Sequence, residues 1–309
     1  MQVAIHGGAG DLVPGTVDVT PHRAFLREVA AAGMACLRGG GSAVDAVEDM
    51  VVRLEECPMF NAGHGAVLNR DGQPELDAAI TDGNGRRCGA VAGVTRTRNP
   101  IRLARGVMDR SPHVLFIGNG AEALARELGL ECVDSAFFVT EERFHQLKVA
   151  QEKGIISLDH DTSDPAADPA FGTVGAVARD RDGHLAAATS TGGLTNKHPG
   201  RVGDTPIPGA GTFADDASAA ISCTGTGEAF IRAMFGHTVH ARMTLAGESL
   251  AQARQIALEQ VHAYNGGRGG AIAIGHDGSV CLPFNSRVMF RAWSEGEAIR
   301  VAVDHEDAA

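Results

Sequence analysis

Aromatic side chains are scarce in this chain of 309 residues: it has one Trp, one Tyr and 12 Phe. A protein that grips nucleic acid by stacking bases on aromatic rings has little to work with here. Positive charge is scarce as well. The formal net charge is −11, neither residues 1–172 nor residues 173–309 is basic, and no Lys/Arg run occurs. Nucleic acid and anionic membranes are excluded as electrostatic partners. No apolar run reaches the roughly 20 residues that span a bilayer. The opening MQVAIHGGAG has no basic stretch followed by a long apolar one. The six cysteines (Cys36, Cys57, Cys88, Cys132, Cys223 and Cys281) form no C-x-x-C pair. That argues against a zinc knuckle or a dithiol redox site. Scattered thiols suit a reducing compartment, and a cytoplasmic protein is the expectation.

Glycine, by contrast, is abundant: 40 residues, often clustered. Clusters of this kind mark tight turns and close backbone approaches. With 44% hydrophobic residues the chain can build a sizeable core. Residues 2–5 read as a buried strand running into a loop at His6–Gly10. Thr20 and Pro21 form a helix start, with the hydroxyl as N-cap. Phe25, Val29, Ala32 and Cys36 share a helical face. Ser42 and Asp45 predict a capping box for a second helix. Strands are expected at 66–69, 76–81, 88–95 and 113–117, and helices near 100–109, 120–129 and 142–153. Residues 157–172, SLDHDTSDPAADPAFG, have the composition of an exposed, poorly ordered acidic segment. At Thr173 the pattern turns abruptly apolar. Strands at 173–178 and 185–191 are joined by the turn Arg181-Asp182-Gly183. A strand at 219–224, helices at 227–243 and 247–263, and four closing strands from 271 to 303 follow. The alternation predicts layered α/β packing with facing sheets.

The junction Gly172-Thr173 carries the most chemistry. A threonine at the start of a strand is commonplace. A threonine after glycine can also attack the carbonyl before it, giving an ester that water opens. Glycine crowds that attack least. The new N-terminal amine, with a pKa near ~8, could then serve as base for its own hydroxyl. Thr191 ends the strand expected to pair with the one at Thr173, so its hydroxyl could reach the nucleophile. Arg201 and Asp204, in GRVGD, suit the carboxylate and ammonium of a zwitterion. Alone, such a pair is a surface salt bridge. Thr224-Gly225-Thr226-Gly227 lies between a strand and a helix. It could supply an oxyanion hole or merely a helix N-cap.

Together these segments resemble the plant-type (class 3) L-asparaginase/isoaspartyl peptidase family of N-terminal-nucleophile hydrolases. The resemblance covers almost the whole chain: IHGGAG, LEECPMFNAGHGAVLN, LDAAITDG, SPHVLFIGNGAE, GTVGAVARD, ATSTGGLTNKHPGRVGD and TGTGE, in that order. It implies that Thr173 is the nucleophile, supported by Thr191. Arg201 and Asp204 would hold the substrate's carboxylate and amine, with Gly227 of TGTGE bordering the same site. Thr224 and Gly225 would form the oxyanion hole. Asn61 would order the site, and Gly7 and Gly8 would flex near the bond cut after Gly172. A structural sodium ion would sit on the main-chain carbonyls of Leu54, Glu55, Cys57, Phe60, Ala62 and His64; catalysis would need no cofactor. The fold implied is a four-layer αββα sandwich. It would be one domain of two chains, residues 1–172 and 173–309, in a homodimer of cleaved protomers acting on small-molecule substrates. His64 stands where relatives vary, and Asn285-Ser286-Arg287-Val288-Met289 replaces a glycine-containing version on the substrate's distal side.

Three rival readings compete. Gly118-Asn119-Gly120-Ala121-Glu122-Ala123 fits G-x-G-x-x-A between a strand and a helix, with Glu141 about 20 residues on, as in dinucleotide-binding oxidoreductases. Nothing else supplies hydride chemistry. A glycosylasparaginase would use the same nucleophile on a glycosylated asparagine. An uncleaved, non-enzymatic relative would keep the fold without turnover.

Overall fold

The computed structural model describes residues 1–12, 17–156 and 172–305. It is a mixed α/β structure. Strand β1 (Gln2–Gly10) leads to helices α1 (Thr20–Arg38) and α2 (Ala43–Glu55), then strands β2 (Leu76–Asp82) and β3 (Arg87–Val94). Helix α3 (Pro100–Arg110), strand β4 (Leu115–Ile117) and helices α4 (Gly118–Glu127) and α5 (Glu141–Lys153) follow. Beyond Gly172 come β5 (Val174–Arg179), β6 (Leu185–Thr191), β7 (Thr212–Ala214) and β8 (Ala219–Gly225). Helices α6 (Gly227–Ala233), α7 (Phe235–Leu245) and α8 (Leu250–Ala263) are next. Strands β9 (Gly269–Gly275), β10 (Val280–Cys281), β11 (Val288–Glu295) and β12 (Ala298–Ala302) close the chain.

The strands form two sheets, ordered β12-β11-β1-β5-β6-β2-β3-β4 and β10-β9-β8-β7. Alternation along each strand decides what each sheet face meets. Ile5, Ala176 and Ala188 face a core with Leu26 and Val29 of α1, Met50 and Val51 of α2, and Ile101 and Val107 of α3. Their neighbours Ala4, Val177 and Ala187 face the other way, toward Ala220, Ile272 and Ile274 of the small sheet. Ile221, Ala271 and Ala273 then bury against Phe230, Val239, Ala253 and Val261. Burying one large apolar side chain in this way contributes about 1.5–3 kcal/mol. The large sheet draws on both sides of Gly172. Strand β1 lies between β11 and β5, and β6 lies between β5 and β2.

Several expectations need correction. The first strand does not stop at Ile5. It continues to Gly10, with a register shift between His6 and Gly8 against β11. Gly8 has φ of +111°, a value that a residue without Cβ adopts freely. Thr20 is already helical and makes no side-chain cap; its N–H instead donates to Asp18 Oδ1 at 2.9 Å. Residues 66–69 form only an isolated bridge, Leu68 to Pro74. The helix expected at 227–243 is two, broken where Met234 takes φ of +44°. The capping box of Ser42 and Asp45 is present. The acidic segment 157–172 lies outside the described residues, save Gly172.

Candidate active site

Strands β5 and β6 pair antiparallel, with Val174 opposite Ser190. One step further, Thr173 therefore stands opposite Thr191. The two hydroxyls meet at 2.9 Å, Thr173 Oγ1 donating to Thr191 Oγ1. Thr191 Oγ1 also accepts the Gly193 N–H at 3.0 Å, so it is held as an acceptor. The pairing of β1 with β5 ends at His6 and Gly175. Continued past His6, that register carries Gly7 opposite Val174 and Gly8 opposite Thr173.

Asn61 fixes the turn after β6 from three sides. Its Nδ2 donates to Gly193 O at 2.8 Å, and its Oδ1 accepts from Val67 N at 2.9 Å and Gly192 N at 3.2 Å. Thr224 stands near the end of β8, where its hydroxyl accepts the Ala9 N–H at 3.3 Å. That bond ties it to the glycine-rich strand rather than to α6, and Thr226 makes no side-chain cap for α6. The N-cap alternative is thereby replaced. Gly225 has φ of +134°. These groups line one cleft of about 370 Å³ including its mouth, with Gly172, Thr173, Arg201 and Asp204 on its wall.

The charged wall is not a surface salt bridge. Asp204 is buried at 5% exposure, and its Oδ2 has no hydrogen-bond partner. Burial pushes its pKa up to about 7, against the opposing pull of its own backbone N–H and of Arg201. Arg201 instead pairs in bidentate fashion with Glu228, Nε to Oε1 and Nη2 to Oε2, both at 2.9 Å. Such a fork fixes the guanidinium plane. Gly227 backs onto both charges. A Cβ there would lie 2.9 Å from Arg201 Nη2 and 2.9 Å from Asp204 Oδ1, so only glycine leaves room.

Two buried charges behind this wall escaped the sequence reading. Lys197 is 1% exposed and donates through Nζ to Glu75 O at 2.9 Å. Burial lowers its pKa, opposed by Asp77 and Glu75. Asp77 is raised by burial and accepts the Gly93 N–H at 2.9 Å. Lys197 lies inside the quoted TNKHPGRVGD segment, so its position beside Arg201 was the one available signal. Glu228 likewise closes the quoted TGTGE segment, and its position there was its one available signal.

The loop matching LEECPMFNAGH folds back on itself. His64 N–H donates to Glu55 O at 2.7 Å, Cys57 N–H to Leu54 O at 3.3 Å, Phe60 N–H to Cys57 O at 3.3 Å and Ala62 N–H to Phe60 O at 3.0 Å. Glu55 turns its side chain inward, accepting from Ser190 Oγ at 2.7 Å and Ile101 N at 3.0 Å. Burial raises its pKa to about 8.

The G-x-G-x-x-A segment serves structure. It follows edge strand β4 and forms the start of α4. Its Glu122 holds the Thr95 and Arg96 N–H groups at 2.8 Å each and Thr97 Oγ1 at 3.0 Å. That loop-binding role leaves the dinucleotide reading without its chemistry.

Comparison with known proteins gives the family. The family model Asparaginase_2, described as asparaginase, matches residues 1–303. The chain is 50% identical over 295 residues to an isoaspartyl peptidase of Escherichia coli (strain K12), covering 94% of this chain and 92% of that protein. It is 41% identical over 309 residues to a probable isoaspartyl peptidase/L-asparaginase 2 of Arabidopsis thaliana, covering 94% of each. It is 39% identical over 312 residues to an isoaspartyl peptidase/L-asparaginase of Macaca fascicularis, covering 99% of this chain and 97% of that protein. With the model matched over nearly its full length, this chain belongs to the Asparaginase_2 family.

Proposed function

We propose that the protein cuts itself before Thr173 and then hydrolyses β-aspartyl amides, both isoaspartyl dipeptides and L-asparagine. The observation that carries this reading is the 2.9 Å bond between Thr173 and Thr191 in a cleft that also holds Arg201 and Asp204. The names of the relatives support the substrate class. In self-cleavage, Thr173 Oγ attacks the Gly172 carbonyl and displaces its own nitrogen. Water then opens the ester, leaving a carboxylate on Gly172 and a free amine on Thr173. In turnover that amine takes the hydroxyl proton, and Oγ attacks the β-carbonyl of the substrate. Thr224 Oγ1 and the Gly225 N–H receive the oxyanion. The protonated amine gives its proton to the leaving nitrogen, and water releases aspartate. Arg201 binds the α-carboxylate and Asp204 the α-ammonium. Gly7 and Gly8 yield beside the scissile bond, and Asn61 keeps the turn after β6 in place.

The packing is compatible with the remaining features of this reading. Helices outside two facing sheets correspond to a four-layer αββα sandwich. Because strands from both sides of Gly172 interleave, the two products would stay together as one domain. Val114, Leu115 and Ile117 leave an apolar strip exposed beside the edge strand, which suits an assembly such as a dimer of cleaved protomers. No described helix is long and apolar enough to cross a membrane, and all six cysteines are free, which suits a cytoplasmic location. A sodium ion fits the loop from Leu54 to His64. The Glu55, Cys57 and Phe60 carbonyls each accept one loop N–H and keep a second lone pair. Leu54, Glu55, Cys57, Phe60, Ala62 and His64 would supply neutral oxygens to it. Its chemistry would be that of a hard cation holding the loop closed.

Intact mass spectrometry of purified protein over time tests the cleavage, and release of aspartate from asparagine and from isoaspartyl-leucine tests the turnover. A stable single chain with no aspartate released would refute the proposal.

The pH dependence provides a second check. The free enzyme must ionise Asp204, at about 7, and must also deprotonate the Thr173 amine. Bound α-ammonium stabilises the Asp204 carboxylate and lowers its pKa, so that ionisation drops out of kcat. On the acid limb, log kcat/KM should climb more steeply with pH than log kcat. Identical limbs for the two quantities would remove Asp204 from substrate binding.

A further inference from the structure

Between the two sheets, amid alanine, valine and isoleucine, runs a chain of buried polar side chains. His6 Nε2 lies 2.9 Å from Ser222 Oγ, Ser222 Oγ 2.7 Å from Thr189 Oγ1, and Thr189 Oγ1 2.7 Å from Thr212 Oγ1. Thr212 Oγ1 also lies 3.0 Å from Thr205 O. All four side chains are fully buried. His6 and Thr189 belong to the large sheet, Ser222 and Thr212 to the small one.

A hydroxyl donates once. Thr212 Oγ1 is the donor toward Thr189 Oγ1, so the chain runs from Thr212 to Thr189, from Thr189 to Ser222 and from Ser222 to His6 Nε2, with the Thr205 carbonyl facing the same Thr212 hydroxyl. Burial agrees, holding the imidazole neutral with its pKa lowered to about 3. The two ends of the chain are at the active site. The Thr173 main chain lies against the His6 ring, where it opposes that lowering. Thr205 follows Asp204 directly and lines the cleft. Gly175, two residues after Thr173, makes room for the first link. A Cβ there would lie 2.0 Å from Ser222 Oγ and 2.4 Å from His6 Nε2.

We propose that this chain of hydroxyls is a positioning device for hydrolysis, holding the Thr173 strand and the Asp204 loop at a fixed separation. His6, Ser222, Thr189 and Thr212 are positioning residues in this account, and the inference rests on the proposed function. The apolar remainder of the interface tolerates small slips between sheets, because dispersion contacts have no preferred direction. Directional bonds between buried hydroxyls do not tolerate them, since a slip leaves polar groups unpaired. A nucleophile displaced by about 1 Å loses on the order of 100-fold in rate.

Thr189 is the link to test, because it touches neither Thr173 nor the Asp204 loop. Thr189→Val keeps the shape and deletes the hydroxyl, whereas Thr189→Ser deletes a methyl and keeps the hydroxyl. With fully cleaved enzyme and an isoaspartyl dipeptide, Thr189→Val should lower kcat by about 10- to 100-fold. Its KM should stay within about threefold, and Thr189→Ser should restore kcat to within about threefold of wild type, on the same scale of positional sensitivity. Equal losses in the two variants would assign the effect to packing, and unchanged kcat in Thr189→Val would dismiss the chain; either overturns the proposal. Where Thr189→Val folds incompletely, Thr212→Val against Thr212→Ser reads the same comparison from the far end. A wild type without turnover overturns the functional reading along with this one. An active wild type with an unaffected Val variant overturns this one alone.

Discussion

Thr173→Ala should remain a single chain of 309 residues under conditions where the wild type separates into residues 1–172 and 173–309. The reason is local. In the proposed self-cleavage the attacking oxygen is Thr173 Oγ1, placed 2.9 Å from Thr191 Oγ1 and next to the Gly172 carbonyl. Alanine removes that oxygen and leaves the strand pairing of Val174 with Ser190 untouched. In the proposed mechanism the same oxygen is the nucleophile in turnover, so aspartate release should fall by at least ~10⁴-fold, the scale seen when a covalent nucleophile is deleted. The fold should persist, because Thr173 precedes β5 and supplies no core side chain. Mass spectrometry and a coupled aspartate assay give both answers from one preparation. A Thr173→Ala protein that still splits after Gly172 would assign the cut to an outside protease.

Arg201→Ala should cleave itself normally and then lose about 10- to 150-fold in kcat/KM on isoaspartyl dipeptides. Those bounds correspond to one charge-assisted contact of about 1.5–3 kcal/mol. The scissile Gly172-Thr173 bond offers no free carboxylate, so processing does not use the guanidinium. Substrate does. The Glu228 fork occupies Nε and Nη2, which leaves Nη1 for the substrate carboxylate. A Cβ on Gly193 would lie 3.4 Å from that nitrogen, and one on Gly203 would lie 3.0 Å from it, which places it at the cleft wall. Removing Arg201 also removes a cation that holds the Asp204 pKa down. The acid limb of kcat/KM should therefore move to higher pH in the variant. Steady-state kinetics of correctly cleaved Arg201→Ala across pH measures both effects. An unchanged kcat/KM would return Arg201 to the protein surface.

The sequence alone determined those parts of the site that depend on local pairing or on charge. Thr173 and Thr191 could be matched on paper because two strands joined by Arg181-Asp182-Gly183 form a hairpin whose register fixes opposite residues. Arg201 and Asp204 stood out as charges in a segment with few apolar side chains. The Ser42–Asp45 capping box was legible for the same reason: both partners lie within one turn of helix. Elements with little local signal were missed or misplaced. Strand β7 is three residues long, too short to show alternation. Residues 66–69 have the composition of a strand, yet their backbone finds only the Leu68–Pro74 bridge. Met234 breaks a helix at a residue that favours helix, so tertiary packing outweighed propensity.

Only the tertiary structure decided which partners each charge and hydroxyl has. It gave Arg201 to Glu228, 27 residues away, and sank Asp204 until its carboxyl lost a partner and its pKa rose. It turned His6 from the first residue of a glycine-rich loop into the head of a hydroxyl chain reaching residues 189, 212 and 222. Hydrogen bonds and desolvation depend on distances between segments far apart in the chain. A sequence states which groups are available to bond; the packing of one sheet on another determines which of them meet, and which are left without water.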